Sequence, residues 1–538
     1  MYDRSMLWQL TRASSLVLAL ALIGSGAVSS TALAADEAQL VVQKATCGPG
    51  DHPETALQGQ VTAAMRAAGF NGFNCNLELV GQSRGDGANW QSAEYRDAIG
   101  NATSQGRAIG HKQGVVCAYH GTAFTVADRT HVGVPVLDVT DRNHPTPTAY
   151  LTTTSMLDPW ESLKVNERRQ LLAADNGHNG GGGPEVDIYD ISTDCTQPQL
   201  LASLPVGTGS DGGDVARVVG HEGSWAPDGL TYYGGDLRTN GGQYYAVDTA
   251  DPVHPKLITT WVPGFANVHG MSISDDGSRG YFVSLGTSGG AAGLTDPSVA
   301  ANNGLLIYDL SEIQARKANA QAKLISTLFW KDGSGAQHTI PIKIKGKQYL
   351  VFIDEAGSGG FSSQAQREAA CAAGMPPYPM ARIIDISDEK NPKIVSRLGL
   401  ETHDPANCAA VLPDLAGLSI FTYGSHYCSV DNREKTTTLA CGYFNSGIRV
   451  FDIRDPARPK EIAYYNPAGT TTASPGSNHA SIGQWRAGGP DWCTAQVHLN
   501  AADGTLWTTC QDNGVLALKF TNGAWPFPES KTPAGQQN

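Results

Sequence analysis

One phrase occurs six times along this chain of 538 residues, and it constrains the fold more than any other feature. Each copy is a β-branched run that ends in Asp, followed by a polar turn, usually with Pro, and then by a second apolar run. The aspartates that end the first run are Asp138, Asp190, Asp248, Asp309, Asp385 and Asp452. Successive aspartates lie 52 to 76 residues apart, so one supersecondary unit is copied along the chain.

Each phrase predicts two antiparallel strands joined by a tight turn. A further strand pair precedes the phrase, as in 221–236 and 269–284. Four antiparallel strands per unit, without helical periodicity between units, are typical of a β-propeller blade. An Asp at a strand end can accept hydrogen bonds from turn N–H groups, so we assign the six aspartates to architecture and not to catalysis.

The phrase resembles the LVIVD repeat, a family of bacterial and archaeal propellers that mostly lack an assigned function. The resemblance rests on copies such as ARIIDISDEKNPKIVSRL around Asp385 and IRVFDIRDPARPKEIAYY around Asp452, and it covers roughly residues 115–520. It implies an all-β fold in an exported bacterial protein. It supplies no catalytic residues, because a fold alone does not fix a chemistry.

The last unit of the chain is incomplete. Its strands at 494–499, 506–510 and 514–520 are followed only by a polar tail, 521–538. Because an open ring would expose a sheet edge, we predict that 77–81 (LELVG) closes a seven-bladed propeller as the fourth strand of the last blade. The alternative is that 77–81 packs outside a three-stranded last blade. The predicted organisation is then an irregular N-terminal arm at 35–114 and a propeller at 115–520.

Residues 1–34 have the pattern of a signal peptide. Arg4 and Arg12 precede an apolar stretch that is too short to span a bilayer, and small residues before Ala35 suit cleavage. Loss of Asp3 and the two arginines changes the formal net charge from −13 to −14, which argues against nucleic acid or an anionic membrane as partner. We expect a soluble monomer without a membrane span, in the periplasm or the medium.

The ten cysteines follow Ala35 and fit an oxidising compartment. Their full pairing does not follow from the sequence. Short connecting segments favour three disulfides, namely Cys371–Cys408, Cys428–Cys441 and Cys493–Cys510. Since no pair has C-x-x-C spacing, disulfides are a better interpretation than metal ligation.

Histidines recur at one height in three successive units. Each stands eight residues before the glycine of the turn between the first two strands, and the three are His221, His269 and His338. Counting eight residues back from the corresponding turn glycine gives Gln113 in the first unit and Gln496 in the seventh. His498, two residues after Gln496, lies on the same side of its strand. The same count gives a position near Trp160 in the second unit and Asn407 in the sixth. We therefore predict a ring of His and amide side chains at one mouth of the central channel.

Converging imidazoles suit one divalent transition metal ion. The predicted metal site comprises His221, His269, His338, His498, Gln113 and Gln496. The alternative is that these side chains cap inner strands and bond to the next blade. Among acidic residues near the rim we single out Glu355, in FIDEAG, as the catalytic candidate. Further histidines in loops on that side are candidates to extend the site: His178, His403, His426 and His479.

The long insertions emerge on the same face as the histidines, so this face is predicted to be functional. Two functions follow. The first is an exported binding or interaction protein, whose long loops hold a small molecule, a glycan or an envelope protein. The second is a metal-dependent enzyme, such as a lyase, hydrolase or oxidase. The sequence favours binding by a narrow margin, and metal analysis would discriminate the two.

Overall fold

The computed structural model describes residues 39–97, 114–123, 129–177, 186–204, 220–236, 242–265, 267–286, 290–361 and 363–531. The signal peptide predicted at 1–34 lies outside these ranges. No helix within them is long and apolar enough to cross a membrane.

The strands are numbered in chain order. The first ten are β1 (Phe73–Cys75), β2 (Leu77–Ser83), β3 (Ser92–Arg96), β4 (Val116–His120), β5 (Val134–Asp138), β6 (Thr146–Leu151), β7 (Lys164–Asn166), β8 (Leu171–Asp175), β9 (Val186–Asp190) and β10 (Gln199–Leu204). The next eight are β11 (Glu222–Trp225), β12 (Thr231–Asp236), β13 (Gln243–Asp248), β14 (Lys256–Trp261), β15 (Asn267–Ile273), β16 (Arg279–Leu285), β17 (Asn303–Asp309) and β18 (Lys323–Trp330). The last eleven are β19 (Ser334–Ile344), β20 (Lys347–Ala356), β21 (Ala381–Asp385), β22 (Lys393–Arg397), β23 (Cys428–Val430), β24 (Thr438–Gly442), β25 (Ile448–Asp452), β26 (Lys460–Asn466), β27 (His498–Asn500), β28 (Thr505–Cys510) and β29 (Gly514–Phe520).

The helices are short and lie in the connections. The α-helices are α1 (Ala63–Ala68), α2 (Thr154–Leu157), α3 (Gly290–Thr295), α4 (Ser311–Gln314), α5 (Gln364–Ala372), α6 (Cys408–Val411) and α7 (Asn478–Ser481). Single 3₁₀ turns occur at Glu401–His403, Pro405–Asn407, Leu412–Leu415 and Pro528–Lys531.

The strands form seven antiparallel sheets, which are the blades of a seven-bladed β-propeller. Six sheets have four strands, in the orders β3–β4–β5–β6, β7–β8–β9–β10, β11–β12–β13–β14, β15–β16–β17–β18, β19–β20–β21–β22 and β27–β28–β29–β2. The remaining sheet has the order β23–β24–β25–β26–β1. The predicted fold class is therefore confirmed, with an unpredicted fifth strand on the sixth blade.

The ring closes as predicted. Strand β2 pairs antiparallel with β29, from Leu77 opposite Phe520 to Ser83 opposite Val515. It supplies the fourth strand of the last blade, and the alternative of a three-stranded blade is wrong. Leu77 is fully buried against Leu518, so side-chain packing as well as hydrogen bonding holds the closing strand.

The first blade begins earlier than the sequence indicated. Its inner strand is β3, which lies inside the segment assigned to the irregular arm. Gly121 follows β4, the second strand of the blade, so it does not lie in the turn between the first two strands, from which the spacing to Gln113 was counted. Gln113 lies outside the described residues. The arm is also more ordered than expected, because β1 joins the sixth blade.

The middle strands of a blade are buried on both faces because each blade packs against two neighbours, whereas the outer strand is partly exposed. Strand β17, for example, is buried from Asn303 to Tyr308, while its outer neighbour β18 contains exposed Leu324. All six repeated aspartates accept a hydrogen bond from the backbone N–H two residues later, at 2.8 to 3.0 Å. Their architectural role is confirmed.

All ten cysteines are paired. The three predicted disulfides are present, and two more link Cys47 to Cys75 and Cys117 to Cys195. Five disulfides are consistent with an exported protein. No thiol is available as a metal ligand.

Candidate metal centre

Five polar side chains from five consecutive blades meet near the propeller axis. They are Glu161, His221, His269, Glu355 and His426. We call them the axial cluster. None is more than 8% exposed. Burial of so many ionisable groups requires partners for each of them, since a buried charge without one is costly.

Backbone hydrogen bonds fix the positions of these residues. Glu161 precedes β7, and its N–H donates to the carbonyl of His221 at 3.0 Å. His221 directly precedes β11, and its own N–H donates to Gly235 at 2.8 Å. His269 lies within β15, where Gly270 permits close approach to the next blade, since a Cβ there would stand 2.3 Å from the carbonyl of Gln337.

Glu161 is the centre of the axial cluster. Its Oε2 lies 3.1 Å from His221 Nε2 and 3.2 Å from His269 Nε2. Its Oε1 lies 2.9 Å from His426 Nε2. Glu355 flanks two of the imidazoles, 3.3 Å from His426 Nε2 and 3.8 Å from His269 Nε2. The Nε2 atoms of His221 and His269 are only 2.8 Å apart.

The outer ring nitrogens show which way the imidazoles present their lone pairs. His269 Nδ1 donates to the carbonyl of Gln337 at 2.9 Å, and His426 Nδ1 donates to that of Thr494 at 3.0 Å. In the neutral rings Nε2 is therefore an acceptor that faces carboxylate oxygens. Neither His426 Nε2 nor Glu161 Oε2 makes a hydrogen bond of acceptable geometry. Acceptors that converge in this way require protons or a cation between them.

The carboxylates determine the proton affinity of the imidazoles. Burial alone would lower the pKa of His269, but Glu355 and Glu161 outweigh it and raise the pKa to about 9. Burial is likewise outweighed at His426, where contacts with the same two carboxylates raise the pKa to about 10. Although burial opposes it, contact with three imidazoles holds the pKa of Glu161 well below its usual value. Without a metal, protons would thus occupy the cluster.

An aromatic wall covers one side of the axial cluster. Trp90 lies 5.4 Å from the ring of His426, and Trp160 lies 5.4 Å from that of His221. Phe444 and Trp492 pack with Trp90 and are fully or almost fully buried. The wall excludes water, which strengthens electrostatic interactions within the cluster.

A second polar layer lies on the other side. Glu222 accepts hydrogen bonds from Lys164 Nζ at 3.1 Å and from the Tyr427 hydroxyl. Burial is the main cause that raises the pKa of Glu222 to about 8; Lys164 opposes the shift and Glu161 adds to it. The ring of His338 stacks on Tyr427 with centroids 4.4 Å apart.

The structure brings together three of the residues singled out in the sequence, His221, His269 and Glu355. His338 lies one layer away, because its ring stacks on Tyr427. His498 lies outside the axial cluster. Its ring stacks on Trp507 with centroids 4.3 Å apart, and its Nε2 lies 3.0 Å from the Ser92 hydroxyl.

Gln496 accepts a hydrogen bond from the N–H of Ser92 at 2.9 Å and is also outside the axial cluster. Sequence reasoning missed Glu161 and treated His426 only as a loop extension. The spacing from the turn gave a position near Trp160 in the second blade, one residue from Glu161. In the sixth blade it pointed to Asn407, which lies in a 3₁₀ turn well before β23.

The other described histidines and acidic residues near the rim have structural partners, and His178 lies outside the described residues. His479 contacts Asp512 at 2.7 Å, and Asp491 beside them accepts backbone N–H bonds from Trp492 and Asp512. Asp354 is paired with Arg382 at 2.6 Å. His403 donates through Nε2 to the carbonyl of Pro379 at 2.8 Å. Because hydrogen-bond donors already occupy these oxygens, we assign no ligand site to them.

Comparison with known proteins establishes no family. No protein-family model matches the chain, and no curated protein shows significant similarity. The resemblance to the LVIVD repeat therefore stays a prediction.

Solved propeller structures are similar only in fold. A putative 6-phosphogluconolactonase from Bacteroides uniformis is 12% identical, covers 76% of this chain and 93% of its own, and has a TM-score of 0.46. A protein from Lactobacillus plantarum is 12% identical, covers 72% of this chain and 86% of its own, and has a TM-score of 0.43. Likenesses this remote carry no argument about chemistry, so function has to be argued from the axial cluster itself.

Proposed function

We propose that this protein is a metal-dependent enzyme that binds one divalent transition metal ion in the axial cluster. His221, His269, His426 and Glu161 would hold the ion. The observation that carries the proposal is the convergence of Nε2 lone pairs and carboxylate oxygens, with the outer nitrogens of His269 and His426 bonded to backbone carbonyls. Metal-bound histidines are typically held by such a second hydrogen bond.

The spacing of the ligand atoms supports this proposal. Ligands at about 2.0 to 2.1 Å from a metal are separated by about 2.9 Å in an octahedral site and about 3.4 Å in a tetrahedral one. Within the group of Glu161, His221 and His269 the ligand atoms lie from 2.8 Å apart, between the two histidines, to 3.2 Å apart, between His269 and Glu161. His426 approaches this group through the other carboxylate oxygen of Glu161, at 2.9 Å. Three imidazoles and one carboxylate suit zinc, iron, manganese, copper or nickel.

The surroundings favour catalysis over a purely structural ion. The blades are already joined by hydrogen bonds and side-chain packing, so they do not need a metal to hold them. Lys164, Glu222 and Tyr427 place proton-carrying groups beside the axial cluster. Glu355 lies within reach of two ligand imidazoles and is proposed to accept a proton from a bound substrate. The reaction class stays open among lyases, hydrolases and oxidases.

A binding function without metal is the second candidate. The raised pKa values of His269 and His426 would make the axial cluster a network of imidazolium–carboxylate pairs that ties five blades together. A propeller is consistent with a binding or interaction role. In that case the long loops would hold a small molecule, a glycan or an envelope protein.

Metal content tests the proposal. The mature protein, stripped with chelator and reloaded in turn with zinc, manganese, iron(II) and copper, should retain about one equivalent of one of them after gel filtration. The double variant His269→Ala/His426→Ala should retain almost none. His498→Gln is the matched control, because it alters a half-buried histidine outside the axial cluster and should leave the metal content unchanged. Equal metal content in the wild type and the double variant would refute the metal centre and leave the binding function.

A further inference from the structure

The centre of the propeller contains a cavity to which the proposed function assigns no ligand. It has a volume of about 160 Å³, and all seven inner strands contribute to its lining. It begins at the layer of Lys164, Glu222, His338 and Tyr427 and extends away from the axial cluster to Arg433, in the turn after β23. An engineered cavity on the order of 150 Å³ accommodates benzene, so this one is large enough for a small organic molecule.

One polar atom in the cavity wall has no partner. His338 is only 5% exposed, and its Nδ1 donates to the side-chain oxygen of Gln337. Nε2 is therefore an acceptor, and it makes no hydrogen bond. Stacking on Tyr427 fixes the plane of the ring. A buried acceptor without a partner is uncommon and calls for a donor from outside the chain.

Apart from Glu167, the charged groups of the wall are paired. Lys164 is 3.1 Å from Glu222, and Arg433 is 3.3 Å from Asp275. Glu94 contacts Arg142 at 3.1 Å and also Arg96. Glu167 also lines the cavity, and burial, to which Glu94 adds, raises its pKa to about 8, so this carboxyl is mainly uncharged at neutral pH. A charged ligand would therefore find no clear counter-charge in the wall, and the cavity favours an uncharged ligand.

Apolar side chains complete the wall. They come from different blades and include Leu163, Trp225, Met271, Ile340, Val430 and Val497. A pocket with an apolar wall and one oriented polar group is the usual form of a small-molecule site.

We propose that the axial cavity binds a small uncharged molecule with a hydroxyl group, whose O–H donates to His338 Nε2. Glu222 directly follows His221, and Tyr427 directly follows His426, so such a molecule would lie one residue layer from the axial cluster. Its role as a substrate rests on the proposed metal centre, whereas its binding does not.

Phenol is the test ligand, with benzene and benzoate as matched probes of similar size. Titration calorimetry of the mature protein should show saturable binding of phenol, about five- to tenfold tighter than that of benzene, as expected for one added hydrogen bond. His338→Leu should lower the affinity for phenol to that for benzene. Ser224→Leu, which fills the cavity from β11, should abolish binding of both and serves as a second variant if His338→Leu does not fold.

Equal affinity for phenol and benzene, unchanged phenol binding in His338→Leu or Ser224→Leu, or tighter binding of benzoate than of phenol would each overturn the inference. The variant His269→Ala/His426→Ala separates it from the proposed function. That variant should lose the metal and still bind phenol. Wild-type protein that bound phenol normally but took up no metal would refute the metal centre alone. Metal bound normally without phenol binding would refute the cavity ligand alone.

Discussion

Metal binding should depend steeply on pH, because two of the proposed ligands hold protons in the metal-free protein. The pKa is raised to about 9 at His269 and to about 10 at His426. At pH 7 the ion must displace both protons, which lowers its apparent affinity by about two and three decades respectively. Each displaced proton changes the apparent binding constant tenfold per pH unit. We therefore expect affinity to increase about a hundredfold from pH 7 to pH 8.

Competition titration of zinc against a chelator of known pH dependence, between pH 6.5 and 8, would measure this slope. Calorimetry in buffers of different ionisation enthalpy should show about two protons released per ion at pH 7. Glu355→Gln removes one of the carboxylates that raise both pKa values, so its slope should be shallower. An apparent affinity independent of pH, or release of less than one proton, would refute the reasoning.

Three predictions concern stability. Leu77→Ala should lower the free energy of unfolding by about 2 to 5 kcal/mol in denaturant titration, whereas Leu79→Ala, on the same closing strand but 41% exposed, should change it little; equal effects would contradict ring closure by packing. Burial lowers the pKa of His403 to about 4. The neutral ring therefore stabilises the fold fully above pH 6.5, and this contribution is lost as the pH falls from 6.5 towards 4. His403→Gln should make the acid-induced loss shallower by about 1.4 kcal/mol per pH unit, and an unchanged slope would count against a neutral ring. Replacing both Cys117 and Cys195 by Ala opens a link across 78 residues and should cost roughly 2 to 5 kcal/mol; an unchanged melting temperature would argue against this disulfide.

The fold was predictable because its signals are local and repeated. The Asp of each phrase specifies a turn because its carboxylate accepts a hydrogen bond from the backbone N–H two residues later, so six copies predict six strand pairs. Closure by 77–81 followed from a count of strands and from the cost of an open edge. The disulfide Cys428–Cys441 joins β23 to β24, and Cys493–Cys510 joins the segment before β27 to the end of β28. Short spacing alone indicated both.

The site was predictable only where the turn between the first two strands contains glycine at a constant distance. That condition holds for His221 and His269. It fails for Glu161, because the turn after β7 has no glycine, and for His426, whose strand β23 is followed by a longer turn. His338 meets the condition, but its ring lies outside the axial cluster, and the register of β19 against β20 shifts between Ala336 and His338. A shift of one residue turns a side chain to the other face of a strand, so equal spacing in sequence did not give equal position at the axis.

Two unequal parts of the ring contribute different side chains near the axis. Blades two to six supply the axial cluster, while Trp90, before β3 of the first blade, and Trp492, before β27 of the seventh, form the core of the aromatic wall. Without this wall water would screen the carboxylates, and Glu161 and Glu355 would shift the imidazole pKa values less. The same carboxylates that hold protons at neutral pH would attract a divalent cation more strongly once those protons leave. Exclusion of water by the aromatic wall therefore strengthens the hold of the axial cluster on protons and on a metal ion alike. Both effects depend on which positions near the axis carry aromatic side chains and which carry carboxylates and imidazoles.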